Sequence, residues 1–217
     1  MSARETVLSR IRAALAATPA PVAADGVART YRHEGSVPSG SAQALDLLAD
    51  RLLDYRATVL RCGPGDVARV VATQLADAGT VVLPAGVPTP WVTALAEAGV
   101  AVRIEVPGAP LTHSDLDETG AVLTACRVAI AETGTIVLDA GPDQGRRALT
   151  LLPDRHVCVV RADQVVGSVP QAVALLAEHP ERPLTWISGP SATSDIELVR
   201  VEGVHGPRDL RVVLVEG

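Results

Sequence analysis

Short β-rich runs alternate with helical patterns between residues 57 and 106, and this alternation restricts the possible folds more than any other feature of the chain. The β-rich runs lie at 57–61, 80–84 and 100–106, and the helical patterns at 66–78 and 89–98. Strands separated by single helices are joined by right-handed crossovers, which place them side by side in a parallel sheet. The sequence therefore predicts a three-layer α/β fold, with a mostly parallel sheet covered by helices on both faces.

Aliphatic side chains have to build the core of this fold. Hydrophobic residues make up 47% of the 217 residues, whereas aromatic residues make up only 2% and Phe is absent. Such aliphatic runs are typical of strands that are buried on both faces of a parallel sheet. All basic residues are Arg, so mechanisms that need a Lys nucleophile or a Lys Schiff base are excluded.

The second half of the chain does not continue the alternation of strands and helices. β-rich runs at 121–132 and 135–139 flank Thr133-Gly134, and a tight turn at this pair joins them into a predicted hairpin. Further strands are predicted at 156–161, 184–188 and 210–215, and a helix at 169–178.

The first 40 residues look like an appendage to this domain. Residues 3–17 carry apolar side chains at helical spacing, and residues 18–40 are rich in Pro, Gly and Ser. Another helix is predicted at 41–54, where Leu45, Leu48 and Leu52 lie on one face. We therefore expect an N-terminal helical arm at 1–40, packed peripherally or against a neighbouring subunit, and an α/β domain at 41–217.

Charge and cysteine usage exclude several classes of protein. The net charge of −6 argues against a general nucleic-acid surface, and no apolar run reaches the ~18 residues of a membrane span. The N-terminus lacks the apolar stretch of a signal peptide, so we expect a cytoplasmic protein. Cys62, Cys126 and Cys158 are far apart and are expected to be buried, reduced thiols. Neither metal-ligand spacing nor a G-x-G-x-x-G fingerprint is present, so we expect no metal and no cofactor on this chain.

Three polar segments that contain glycine are the candidate functional segments. They are A-E-T-G-T at 131–135, G-P-S-A-T-S-D-I-E at 189–197 and G-V-H-G-P-R at 203–208. Each follows a predicted strand, and the ligands of open α/β sheets bind beyond the carboxyl ends of strands. Because such loops expose backbone N–H groups and hydroxyls that bind anions, we expect the segments to converge around a small anion at one end of the sheet.

The order and spacing of these segments resemble the LUD-domain family. The resemblance covers most of the chain and is weakest before residue 57, and Ala192 stands where relatives often have Arg. It implies a fold like that of ribose-5-phosphate isomerase, glucosamine-6-phosphate deaminase and coenzyme A transferases. The chain resembles the short members of the family, which lack the iron–sulfur module of the longer ones.

The family resemblance also implies a function. It implies a subunit of a three-protein system for lactate utilization, which oxidises L-lactate to pyruvate and whose iron–sulfur clusters sit on partner subunits. Two alternatives stay open. One is a stand-alone isomerase or acyl-transferase-like enzyme acting on a small anionic metabolite, and the other is a non-catalytic scaffold for the iron–sulfur partners. A homo-oligomer is compatible with each of these functions.

The candidate catalytic residues are Glu132, Asp195 and His205. By resemblance to coenzyme A transferases Glu132 is a nucleophile, and alternatively it orients the turn at Gly134 through hydrogen bonds. Asp195 is either a general base or a helix cap. His205 lies between two glycines, where it either transfers protons near neutral pH or ties the loop together.

The candidate anion-binding residues offer hydroxyl groups, backbone N–H groups and one guanidinium. They are Thr133, Gly134, Thr135, Ser191, Thr193, Ser194 and Arg208. The hydroxyls of the second segment also suit helix N-caps, and the two threonines beside Gly134 also suit plain strand positions. Gly134 is expected to supply a positive φ for the turn. Arg208 either holds a carboxylate through two parallel hydrogen bonds or forms an Arg–Asp contact within its loop.

Overall fold

The computed structural model describes residues 2–16, 30, 32–190 and 205–217, together with the backbone of 192–193 and 201–202. The chain forms two compact units, Met1–Tyr31 and Arg32–Gly217. The first unit contains helix α1 (Ala3–Ala16), at the position predicted from the sequence, and none of these helical residues is buried. Most of the predicted linker at 18–40 lies outside the described residues.

A six-stranded parallel sheet forms the centre of the second unit. The strands of this unit are β1 (Thr58–Cys62), β2 (Thr80–Pro84), β3 (Ala101–Glu105), β4 (Ala121–Thr124), β5 (Val128–Ile130), β6 (Thr135–Leu138), β7 (Arg155–Arg161), β8 (Val165–Val166), β9 (Thr185–Ile187), β10 (Ala192–Thr193), β11 (Val201–Glu202) and β12 (Asp209–Val215). The large sheet has the order β1-β12-β7-β4-β2-β3, and every neighbouring pair in it is parallel. The predicted α/β fold with a mostly parallel sheet is confirmed.

A second, four-stranded sheet contains the predicted hairpin. Its order is β8-β5-β6-β9, and β5 and β6 pair antiparallel with Ile130 opposite Thr135. The loop between them, 131–134, includes Gly134 at φ 63°, so the predicted hairpin and the positive φ are both confirmed. Strands β10 and β11 form a separate antiparallel pair.

The prediction of one continuous strand at 121–132 is wrong. The chain leaves the large sheet after Thr124, and β4 and β5 belong to different sheets. The backbone N–H of Ala125 donates to the Asp143 carbonyl (3.0 Å), and that of Arg127 donates to the Val137 carbonyl (2.9 Å). Both strands are fully buried, and Ala125 and Cys126 between them are buried as well, so Arg127 alone interrupts the apolar run at the break.

Helices cover both faces of the large sheet. They are α2 (Ala42–Asp54), α3 (Val67–Leu75), α4 (Thr89–Glu97), α5 (His113–Asp117) and α6 (Val169–Leu176). On one face α3 and α4 pack against the strands, and on the other face α2, the second sheet and α5 do so. Helix α6 covers the outer face of the second sheet, where Ala172 and Leu176 contact Ile130 and Val137.

Asp66 starts the helix predicted at 66–78 and is by residue type a candidate cap, but the structure gives it another role. The observed helix α3 is shorter, and the Asp66 side chain makes no capping hydrogen bond. Its carboxylate instead accepts a hydrogen bond from Arg69 (2.8 Å). The preceding residues, Pro64–Asp66, form a 3-10 turn that leads directly into the helix.

Residues 32–40, predicted as part of the arm, belong to the second unit. The backbone N–H of Gly40 donates to the Val165 carbonyl (2.8 Å), and that of Ser36 donates to the Glu132 carboxylate (3.1 Å). A Cβ on Gly35 would come within 2.7 Å of the Gly167 backbone. This part of the predicted arm is therefore fastened to β8 and to the start of the hairpin loop.

Candidate functional site

A cleft of about 210 Å³, lined by polar and apolar residues in similar measure, lies between the amino ends of β7 and β12 and the strand β9. It is called the His156 cleft below. It is lined by Arg147, Thr150, His156, Thr185, Trp186, Ile187, Ser188, Gly189, Pro190, His205, Gly206, Pro207 and Leu210. Residues from two of the three candidate segments line this cleft, which makes it the candidate functional site.

His156 and Thr150 are buried polar residues of the cleft, and His156 has a relative exposure of 1%. Its Nε2 atom lies 2.8 Å from the Thr124 hydroxyl, and Thr124 is the register partner of Cys158 on the neighbouring strand. Hydrogen bonds from Cys126, His156 and Thr124 lower the pKa of Cys158, and hydrogen bonding to Cys158 together with burial raises the pKa of Cys126. A buried polar cluster therefore continues from the cleft into the core.

Arg147 is the cation at the mouth of the cleft. Its Nη1 atom donates to the carbonyl (2.9 Å) and the hydroxyl (3.1 Å) of Thr150, and its Nη2 atom donates to the His205 carbonyl (2.8 Å). Within the described parts of the chain, no carboxylate lies within ion-pair distance of this guanidinium. Partial desolvation lowers the pKa of Arg147, as expected for a cation that lacks a counter-ion. An anionic ligand would supply that counter-ion.

The first candidate segment approaches the cleft through its threonines. The Thr133 hydroxyl donates to the Thr135 hydroxyl (2.8 Å), and the Thr135 hydroxyl lies 2.8 Å from that of Ser188 in the cleft wall. The Glu132 carboxylate is bound elsewhere, by Arg32 (3.2 Å) and by the backbone N–H of Ser36. In this structure Glu132 thus fastens residues 32–36 to the hairpin loop.

The third candidate segment precedes a strand of the large sheet. His205 lines the cleft, and its carbonyl anchors Arg147. Arg208 forms two parallel hydrogen bonds with Asp154 (2.6 and 3.0 Å), which lies just before β7, so this Arg–Asp contact joins two segments rather than lying within one loop. Because β12 begins at Asp209, both residues lie at the amino end of the large sheet. The expectation that this segment lies beyond a carboxyl end is therefore wrong.

Most of the second candidate segment cannot be placed. Ser191, Ser194 and Asp195 lie outside the described residues, and Thr193 is described only as a backbone position in β10. Gly189, at the start of this segment, adopts φ 83° and lies against Tyr55, where an added Cβ would come within 2.5 Å of the tyrosine Cβ. The roles predicted for Ser191, Thr193, Ser194 and Asp195 stay predictions.

Sequence reasoning did not identify Arg147 or His156 as site residues. His156 is a histidine inside an apolar strand, and its sequence neighbours give no sign of a cleft. Arg147 belongs to the 3-10 turn Arg147–Thr150 before β7, at a position that only the tertiary structure brings to His205.

The described residues include all three cysteines of the chain but no cluster suited to a metal ion. That part of the chain contains no group of three or more His, Cys, Asp or Glu side chains that could hold a metal ion. All three cysteines are free, and Cys126 and Cys158 are buried as expected. Cys62 is only partly buried, which corrects the expectation for that residue.

The fold and the cleft define an α/β protein with a candidate site for a small polar ligand. Residues 91–215 match the model of the LUD domain. The chain is 51% identical over 180 residues to lactate utilization protein C of Deinococcus radiodurans, with 82% of each chain covered. Lactate utilization protein C of Bacillus subtilis is 33% identical over 99 residues, which cover 43% of this chain and 41% of that protein.

A solved structure agrees with these matches. The crystal structure of a DUF162 family protein from Deinococcus radiodurans has a TM-score of 0.69 and 45% identity, covering 80% of this chain and 97% of that chain. The chain therefore belongs to the LUD-domain family, and the resemblance inferred from its three segments is confirmed. None of the helices in the described residues is long and apolar enough to cross a membrane.

Proposed function

We propose that this protein is a subunit of a lactate-utilization system, which works with iron–sulfur partner subunits to oxidise L-lactate to pyruvate. The observation that carries the proposal is the 51% identity, over 82% of both chains, to a protein named lactate utilization protein C. Oxidation of a 2-hydroxy acid needs an acceptor for two electrons, and amino-acid side chains cannot serve as one. The electron path is therefore assigned to partner subunits.

The His156 cleft is the proposed binding site for a small anionic metabolite of this system. Arg147 supplies positive charge at its mouth, His156 supplies an imidazole inside it, and Ser188 supplies a hydroxyl on its wall. A cleft in which a few polar groups converge beside apolar side chains such as Trp186 and Ile187 is typical of small-molecule sites, and it favours a ligand site over a purely structural scaffold.

Deletion of the gene should abolish growth on L-lactate as the sole carbon source and leave growth on pyruvate unchanged. The plasmid-borne wild-type gene should restore growth on lactate. Arg147→Gln should restore it poorly, because an arginine-bound carboxylate loses a charge-assisted hydrogen bond of about 1.5–3 kcal/mol. Arg69→Gln is the matched control, since Arg69 is 71% exposed and forms only a surface ion pair with Asp66.

The growth experiment tests the role in lactate utilization and the assignment of the His156 cleft separately. Undiminished growth of the deletion strain on lactate would refute the proposed role in lactate utilization. Full rescue by Arg147→Gln, at protein levels equal to wild type, would leave the subunit role intact and refute the assignment of the cleft. Immunoblots against the purified protein verify the levels.

The protein purified alone should not oxidise L-lactate. Its spectrum should show no absorption at roughly 350–600 nm, the region in which iron–sulfur clusters and flavins absorb. A lactate-dependent dye-reduction assay should show activity only after the iron–sulfur partners are added. A coloured protein that reduces the dye without partners would make this chain a self-sufficient dehydrogenase.

A further inference from the structure

The carboxyl ends of β2 and β3 meet at a point where the chain changes from one face of the large sheet to the other. Helix α4, which follows β2, packs on the face that contains Val81 and Leu83. Helix α5, which follows β3, packs on the opposite face through Leu116 against Val82. The two loops that leave these strands therefore diverge and open a crevice. In open parallel sheets, ligands bind at such switch points.

A cavity of about 530 Å³ occupies this crevice. It lies between the loops 84–86 and 105–110 and the segment 140–146. Its volume falls within the range of about 300–1,000 Å³ that is typical of small-molecule sites, and it exceeds that of the His156 cleft. The walls are mainly apolar and include four proline rings, those of Pro84, Pro107, Pro110 and Pro142.

One ion pair provides the polar side of the cavity. The Glu105 carboxylate is 9% exposed and accepts hydrogen bonds from Nε (3.1 Å) and Nη2 (2.9 Å) of Arg146 and from the backbone N–H of Leu111 (3.0 Å). The Nη2 atom also donates to the Leu111 carbonyl (2.6 Å). Arg146 is thus held in a fixed orientation by Glu105 and Leu111.

The remaining guanidinium nitrogen of Arg146, Nη1, takes no part in these contacts. A guanidinium carries five N–H groups, two of them on Nη1. For Nη1 of Arg146, no acceptor is found among the residues whose positions the structure describes. Since Arg146 lines the cavity, an oriented pair of N–H donors is offered to a ligand beside an apolar wall.

The segment 140–146, which forms one wall of the cavity, is held in place by local hydrogen bonds. Ala140 adopts φ 55°, a conformation that is unfavourable for residues other than glycine. Asp139 stabilises this backbone conformation from both sides. Its carboxylate accepts a hydrogen bond from the Gly141 N–H (3.2 Å), and its backbone N–H donates to the Gln144 side chain (2.6 Å). The backbone N–H of Gly86 also donates to the Pro142 carbonyl (2.8 Å), which ties this wall to the loop after β2.

We infer that this crevice, defined by Glu105, Arg146 and the four prolines, is a second ligand site, which binds an organic carboxylate with an apolar body larger than that of lactate. The carboxylate accepts hydrogen bonds from Nη1 of Arg146, and the apolar body packs against the proline rings. This site lies at the carboxyl end of the sheet, whereas the His156 cleft lies at its amino end. The inference does not depend on the proposed role in lactate utilization.

The test titrates the full-length protein with 3-phenylpropionate and with its uncharged analogue 3-phenylpropanamide, followed by two-dimensional ¹⁵N NMR. The acid should perturb the amide signals of Gly86, Val106, Gly108 and Gly141 and should bind about tenfold more tightly than the amide. The double variant Glu105→Gln/Arg146→Gln, which leaves no unpaired charge, should bind acid and amide equally.

A second pair of variants tests the cavity without touching the ion pair. Ala85 is an exposed residue that lines the cavity, and Ala85→Trp should fill it and abolish binding of both probes. Ala96→Trp places the same side chain at an exposed position of α4 outside the cavity and should bind both probes as wild type does. Equal affinity of the wild type for acid and amide, no binding of the acid, or perturbations confined to Thr185 and Gly189 would each refute the site.

Discussion

Arg182→Leu should lower the free energy of unfolding by about 3 kcal/mol, because it leaves a buried carboxylate without its main partner. Nη1 of Arg182 donates to Oδ2 of Asp139 at 2.9 Å, and the Asp139 side chain is only 3% exposed. The next guanidinium, that of Arg127, lies 4.0 Å away. The value is at the low end of the range for breaking a buried pair, since the Arg182 side chain is one-third exposed. Urea unfolding followed by circular dichroism measures the loss.

Two further variants separate charge burial from the loss of a long side chain. Arg69→Leu removes an arginine from an exposed ion pair and should cost about 0.5 kcal/mol. Adding Asp139→Asn to Arg182→Leu removes the unpaired charge and should recover roughly half of the 3 kcal/mol. A loss below about 1 kcal/mol for Arg182→Leu would mean that Arg127 or water satisfies Asp139 without help.

The elements that could be predicted are those whose burial pattern differs from that of their neighbours. The strand Thr80–Pro84 is an apolar run between Gly79 and Pro84, and Asp209–Val215 closes with the apolar run at 212–215; both strands were predicted to within one residue. The break between β4 and β5 could not be predicted in this way, because both strands are buried and Ala125 and Cys126 between them are buried as well. The hydrogen bonds from Ala125 to Asp143 and from Arg127 to Val137 mark the change of sheet.

Helix α5 is an element whose signal was present in the sequence but was not used. Thr112 and Asp115 form a capping box, in which the threonine hydroxyl accepts from the Asp115 N–H (3.1 Å) and the carboxylate accepts from the Thr112 N–H (2.9 Å). The T-x-x-D spacing is visible in the sequence, and it predicts a helix start. The helix has only five residues, so no apolar periodicity accompanies that signal.

The candidate site shows the limit of the family resemblance. The three segments identify the family, yet the structure uses Glu132 and Arg208 in contacts with Arg32 and Asp154. Arg147 lines the His156 cleft and Arg146 lines the crevice beside Glu105. The two arginines are adjacent in sequence, yet their side chains reach sites at opposite ends of the large sheet. Their different roles follow from the direction of each side chain, which a sequence pattern does not specify.

Gly134→Ala should destabilise the protein by about 3 kcal/mol, and two separate costs make up this value. Gly134 adopts φ 63°, where a Cβ costs about 1–2 kcal/mol. The new Cβ would also lie 2.6 Å from Cβ of Arg51 and 3.2 Å from its carbonyl carbon, so α2 would have to move. Displacement of a packed element costs a further ~1–3 kcal/mol. Chemical denaturation of wild type and variant measures the sum.

Gly79→Ala is the matched control for this prediction, because Gly79 has nearly the same backbone angle, φ 68°, and its Cβ would meet nothing within 4 Å. It should therefore lose only the backbone cost of about 1 kcal/mol. The difference between the two variants then measures how tightly the hairpin loop is packed against α2. Equal losses would show that the loop moves away from Arg51 at little cost, and that the threonines beside Gly134 are not held in a fixed position at the His156 cleft.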